Sequence, residues 1–136
     1  MALLKEREFL TYLPQPQVIE AVASLYGAPS SRFVDDENNP GTPTLQTTVR
    51  LQVDDMPLED LRRLSVAALG EIPFTLWISR LGIETEAQVK VPTLKFVDGR
   101  LRACFTVVLN GLDLGEIQRL SAPLGEVSLT LRPRLG

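Results

Sequence analysis

The chain has 136 residues, 44% of them apolar and 23% charged, with 14 basic and 17 acidic side chains and a formal charge of -3. That length suits one hydrophobic core, which buries about 68% of the unfolded surface without help from disulfides or metals. There is no histidine, one cysteine and two methionines, so zinc sites built on His or paired Cys, Ser-His and Cys-His catalysis, and haem or blue-copper ligation lack their residues.

Residues 1–27 carry Lys5 and Arg7 but no apolar run of signal-peptide length, and nothing in the sequence approaches the ~18 apolar residues of a membrane span. With the unpaired Cys104, this reads as a cytoplasmic protein. Glu8 to Leu13 is too short and mixed to assign. Pro16 then opens, and Gly27 closes, an expected N-terminal helix with Val18, Val22 and Leu25 on one face, within an N-terminal helical extension over 1–30. Asp35 to Pro43 is an acidic loop. Val49, Leu51 and Val53 alternate with Thr48, Arg50 and Gln52 as a half-buried strand does.

From Pro57 the spacing turns helical, with Leu58, Leu61, Leu64 and Ala68 on one side. Asp54 or Asp55 is the expected N-cap, and Gly70 the stop. Ile72, Phe74, Leu76 and Ile78 alternate again. Glu86 to Val97 reads as one strand, joined through the turn Asp98-Gly99 to a second over Arg100 to Leu109, because Asp-Gly supplies the two positive φ angles of a tight hairpin. Asp113-x-x-Glu116 resembles a capping box at the start of a short helix. Val127, Leu129 and Leu131 form the last strand.

Much of this is written twice. Leu58, Arg63, Leu64, Ser65, Ala67, Leu69, Gly70, Glu71, Thr75 and Leu76 recur as Leu114, Arg119, Leu120, Ser121, Ala122, Leu124, Gly125, Glu126, Thr130 and Leu131. Upstream, Val49 to Val53 corresponds to Phe105 to Leu109, and Arg32-Phe33-Val34-Asp35 resembles Lys95-Phe96-Val97-Asp98. The expectation is a single domain over 1–136 with repeats at approximately 32–79 and 95–133. Its fold class would be α+β: a duplicated βαβ, ferredoxin-like sandwich with an extra hairpin strand and the N-terminal helix, both helices on one face.

The other sheet face would then be open and lined by Thr and Arg around Trp77. Trp and Arg are enriched at interaction hot spots, so Trp77, Arg102, Arg132, Arg134 and Arg50 are the expected partner-binding residues. The competing structural reading lays the N-terminal helix over that face and buries Trp77. Weaker candidates are a cation at Asp35 to Gly41, whose spacing departs from a calcium loop, acid–base chemistry at Asp54 and Asp55, and a nucleophile at Cys104, which has no neighbour to lower its pKa. Ser65 and Ser121 read as structural.

No catalytic constellation assembles, so the chain reads as a non-enzyme that needs no metal or cofactor. The functional expectation is an interaction or assembly module that binds a protein partner or itself, as a homodimer or other homo-oligomer, through the open face or an exposed edge strand. The alternative is a nucleic-acid-binding accessory protein using the Arg-rich face. A net-acidic chain disfavours nucleic acid, and no membrane association is expected.

Overall fold

The computed structural model describes residues 18–35, 40–121 and 126–134. Alternating residues from Ile19 onward give β1 (Ile19–Leu25), β2 (Ser30–Asp35) and β3 (Pro43–Asp54), then α1 (Leu58–Leu69) and β4 (Phe74–Ile78). A 3-10 turn at Ser79–Leu81 leads into β5 (Ile83–Val89), β6 (Thr93–Val97), β7 (Arg100–Asn110), α2 (Leu114–Ser121) and β8 (Glu126–Pro133).

All pairings are antiparallel, and six strands close a ring in the order β1-β3-β7-β5-β4-β8, with β8 returning to β1. The molecule is a closed β-barrel, which corrects the expected α+β ferredoxin-like sandwich. The sandwich required strands within one repeat to lie parallel across a helix. Instead β3 pairs with β7, its counterpart in the other repeat, and β4 with β8. Closure curls the expected open face into the outer wall of the barrel.

The expected N-terminal helix is also corrected, since Ile19–Leu25 is a barrel strand. Ile19 and Ala23 point inward and are buried, while Val22 faces out. Residues 1–17, including Glu8 to Leu13 and Pro16, lie outside the described residues. Glu86 to Val97 is likewise two strands, broken at Lys90-Val91-Pro92, because proline cannot donate to a ladder.

The duplication runs through the whole architecture as β1-β2-β3-α1-β4 followed by β5-β6-β7-α2-β8. Ile19, Glu20 and Ala23 of β1 recur as Ile83, Glu84 and Ala87 of β5, and the amides of Tyr26 and Lys90 make equivalent bonds to the carbonyls of Arg50 and Thr106, at 3.1 and 2.9 Å. Arg50 pairs with Thr106 and Leu76 with Leu131. Each is thus opposite its own counterpart, so a pseudo-twofold axis enters one wall at the first pair and leaves the opposite wall at the second.

Side chains fill the interior, as in any barrel of this width. Phe74, Leu76, Leu131, Leu109, Val107 and Ile83 are among the fully buried ones. The helices close the two ends. Leu61, Leu64 and Ala67 pack α1 against the end where β3 finishes, and Leu120 packs α2 against the other, where β7 finishes. Ser65 and Ser121 donate to the carbonyls of Leu61 and Ile117, both at 2.8 Å, a matched local bond within each helix. In the expected capping box, the Asp113 amide donates to Glu116 Oε1 at 3.0 Å and the Glu116 amide to Asp113 Oδ1 at 2.8 Å. Asp54 and Asp55 do not cap α1; Pro57 holds that position, without a side-chain cap.

Candidate functional site

The five residues expected to bind a partner divide between opposite walls. Trp77 on β4 is flanked by Thr130 on β8 and Glu84 on β5, with Arg132 beside Thr75. It remains 39% exposed, and with Thr75, Glu84, Thr130 and Arg132 it lines a shallow depression of about 230 Å³. β1, the strand that occupies residues 19–25 of the expected helix, does not cover it, since β8 separates β1 from β4. Arg134, just past β8, pairs with Glu86 at 3.1 Å. Arg50 and Arg102 stand on the β3–β7 wall, away from Trp77.

Arg102 is committed. Its Nε donates to Asp54 Oδ1 at 2.7 Å and its Nη2 to Asp54 Oδ2 at 3.3 Å, a bidentate cross-strand pair. That hydrogen bonding holds the Asp54 carboxyl below the usual carboxylate range and raises the Arg102 guanidinium. Arg100 forks onto Asp55 Oδ2, with its Nε at 2.8 Å, and is raised for the same reason. Asp54 and Asp55, the candidate acid–base pair, are therefore ion-pair partners that tie the start of β7 to the end of β3. Cys104 is a half-buried free thiol on β7 between Gln52 and Thr93. Among the described residues no group of three or more Cys, Asp or Glu could hold a metal. The cation candidate at Asp35 to Gly41 falls on positions 36–39, outside the described residues.

None of the five expected residues lies on the exposed apolar surface of β2 and β6. β2 and β6 stand outside the ring at the two ends of the pairing order, each hydrogen-bonded on one edge only among the described residues. With the adjoining parts of β3 and β7 they form two hairpin arms, one at each end of the barrel. In the first, Phe33 lies opposite Leu45, and in the second, Phe96 lies opposite Leu101. These are repeat equivalents in equivalent register. Both phenylalanines are bare, at 72% and 77% exposed.

A third residue belongs to each group. The Gly111 amide donates to the Leu45 carbonyl at 3.1 Å, and the Asp55 amide to the Leu101 carbonyl at 2.8 Å. Three residues beyond these anchors stand Leu114 and Leu58, the first residues of α2 and α1, 72% and 67% exposed. Each end of the barrel thus combines an arm from one repeat with the start of a helix from the other. The second hairpin turns at Asp98-Gly99 with φ of 52° and 79°, as its sequence demands.

The signal was present in the sequence: Arg32-Phe33-Val34-Asp35 repeats as Lys95-Phe96-Val97-Asp98, and a phenylalanine retained in both copies of a strand stands out. Only the topology shows that those strands are edges. Among the described residues no helix is long and apolar enough to cross a membrane. Comparison with family models, curated proteins and solved structures found no match to this chain.

Proposed function

We propose that this protein is a non-catalytic interaction module whose docking elements are its two hairpin arms. The observation that carries this reading is the pair of exposed phenylalanines, Phe33 and Phe96, each on a strand with one edge unpaired among the described residues, at equivalent positions of two repeats. A bare strand edge offers a row of backbone donors and acceptors, and an adjacent aromatic supplies the apolar contact that makes strand addition specific. Soluble proteins usually blunt such edges. Among the described residues, both repeats keep one.

The Trp77 wall contributes less to this reading, because Glu84, Glu86, Arg132 and Arg134 surround it with charge. The nucleic-acid alternative draws little support from the arginines, since Arg63, Arg100, Arg102 and Arg134 are each matched by a carboxylate. Phosphate binding depends on cations free to replace condensed counterions.

A photo-crosslinking amino acid placed in turn at positions 33, 96 and 106 tests the proposal in cells. Position 106 lies on the outer barrel wall and serves as the reference. Protein adducts at 33 and 96 well above those at 106 are the expected result. Equal labelling at all three would remove the arms as docking elements.

A further inference from the structure

The two arms present their outer edges in the same phase. The Leu45 carbonyl accepts from Gly111 and the Leu101 carbonyl from Asp55, so both residues turn their backbone groups across the β3–β7 pair. Along a strand these groups alternate from one side to the other, and residues directly opposite in an antiparallel pair exchange both bonds or neither. Gln46 and Thr44 therefore bond to Arg32 and Val34 opposite them, and Arg102 and Arg100 to Lys95 and Val97. The N–H and C=O of Phe33 and of Phe96 are turned to the edge that no other described strand pairs. A cation, a bare phenylalanine and a half-buried valine follow in that order on both edges, as Arg32-Phe33-Val34 and Lys95-Phe96-Val97. Among the described residues neither Arg32 nor Lys95 has a salt-bridge partner.

That phase keeps the arms of two copies from satisfying each other. Antiparallel backbone bonding of β2 to another copy's β6 sets Phe33 opposite Phe96, and then Arg32 faces Val97 while Lys95 faces Val34. A shift of two residues in one direction sets Arg32 against Lys95, and in the other it carries both cations past the end of the strand opposite. Two β2 strands joined at Phe33 likewise put Arg32 opposite Val34. A foreign strand is under no such constraint. We propose that the partner docking on these arms is an extended segment of a different protein, with an acidic residue directly after its docked apolar residue, and that both arms take the same segment. The inference rests on the reading of the arms as docking elements and supplies the chemistry of their occupant. In an antiparallel pair the residue after the one opposite Phe33 faces Arg32, and the residue before it faces Val34; Lys95 and Val97 stand in the same relation to Phe96. The segment therefore reads apolar, apolar, acidic from its N-terminal end. Its second apolar residue bonds the edge and lies on the same side as the phenylalanine ring, and its carboxylate meets the cation. Opposite charges directly across a strand pair favour a register and like charges oppose it, so Arg32 and Lys95 admit such a segment and turn away another cationic edge. With one arm at each end of the barrel, a molecule holds two segments at once.

Amide NMR of the isotope-labelled full chain tests this, with two free peptides capped at both ends: Thr-Thr-Val-Phe-Glu-Thr-Thr and the same sequence with Lys in place of Glu. The Glu peptide should shift the amides of Phe33 and Phe96 to saturation and those of Arg32, Val34, Lys95 and Val97 less, since these already bond within the arm. It should bind about fivefold more tightly than the Lys peptide, although a net charge of -3 by itself favours the latter. Arg32→Glu with Lys95→Glu should reverse the order of the two peptides and leave the circular dichroism spectrum unchanged, because both side chains are exposed. Equal binding of the two peptides, no binding of either, or a double variant that keeps the parent's preference overturns the inference. If crosslinks at positions 33 and 96 capture a different protein while the peptides show no such preference, the docking reading stands and the acidic-segment inference fails. Crosslinks that return only this chain, whether a second copy or its own residues 1–17, also overturn the inference. If neither crosslinks nor peptide binding occur, both fail.

Discussion

Ser31 and Thr47 pose a test in which the exposed partner of a hydrogen bond matters more than the buried one. Their hydroxyls lie 3.0 Å apart and join the first arm to the barrel. Thr47 is fully buried, whereas Ser31 is exposed. Thr47→Val leaves the Ser31 hydroxyl free to bond water and adds apolar volume inside, so its cost should be at most the ~1 kcal/mol net value of one hydrogen bond. Ser31→Ala strands the Thr47 hydroxyl in the interior, where an unsatisfied polar group costs about 1–3 kcal/mol. The second arm shows the repair. Its equivalent positions are Leu94 and Ala103, which also pair directly. Grafting that solution as Ser31→Leu with Thr47→Ala removes both hydroxyls together and should recover most of the Ser31→Ala loss. Urea unfolding monitored by circular dichroism, with an unchanged slope, measures all three variants. If Thr47→Val proves as costly as Ser31→Ala, the assignment of this bond as the means by which Thr47 is satisfied is wrong.

Two further outcomes follow from the symmetry of the barrel. Leu76 and Leu131 are repeat equivalents, both buried and paired with each other, so Leu76→Ala and Leu131→Ala should each cost about 3–5 kcal/mol and agree within about 1 kcal/mol; thermal melts showing one of them nearly silent would contradict the placement of the axis. The Asp54 carboxyl, lowered by its bond from Arg102, contributes stability that is complete above its unfolded pKa near 4 and disappears as pH falls through the lower folded value. Arg102→Gln, which installs the residue found at the equivalent Gln46, should therefore lower the urea midpoint at pH 6 and differ less and less from the parent as pH drops through 4 towards 2. A difference independent of pH would exclude the ion pair as its source.

What could be read from the sequence was local. Period-2 alternation located β3, β4, β7 and β8; the capping box and Asp98-Gly99 marked a helix start and a hairpin; and the repeat linked α1 and β4 to α2 and β8. Pairing between strands was not legible, because alternation says which face is buried and nothing about which neighbour lies alongside. The βαβ preference for parallel crossover then supplied the wrong answer. Residues 16–27 fit a helix by Pro16, Gly27 and the shared face of Val18, Val22 and Leu25 as readily as they fit a strand, and only the match of Ile19, Glu20 and Ala23 to Ile83, Glu84 and Ala87 resolves the ambiguity. For the candidate site, residue type favours Trp77 and the arginines. Phe33 and Phe96 are conspicuous only once the barrel closes without them and leaves their strands as edges.

The crossing of the two halves has a consequence for how such a barrel can arise and be taken apart. Neither half contains a ring: β1, β3 and β4 reach closure only through β8, β7 and β5 of the other half, and each end is finished by an arm from one half and a helix from the other. The chain is in effect two half-length units tethered through the short turn at Ser79–Leu81. Cutting that turn would leave two fragments that need each other to fold, and the molecule would persist as a complex of its own halves.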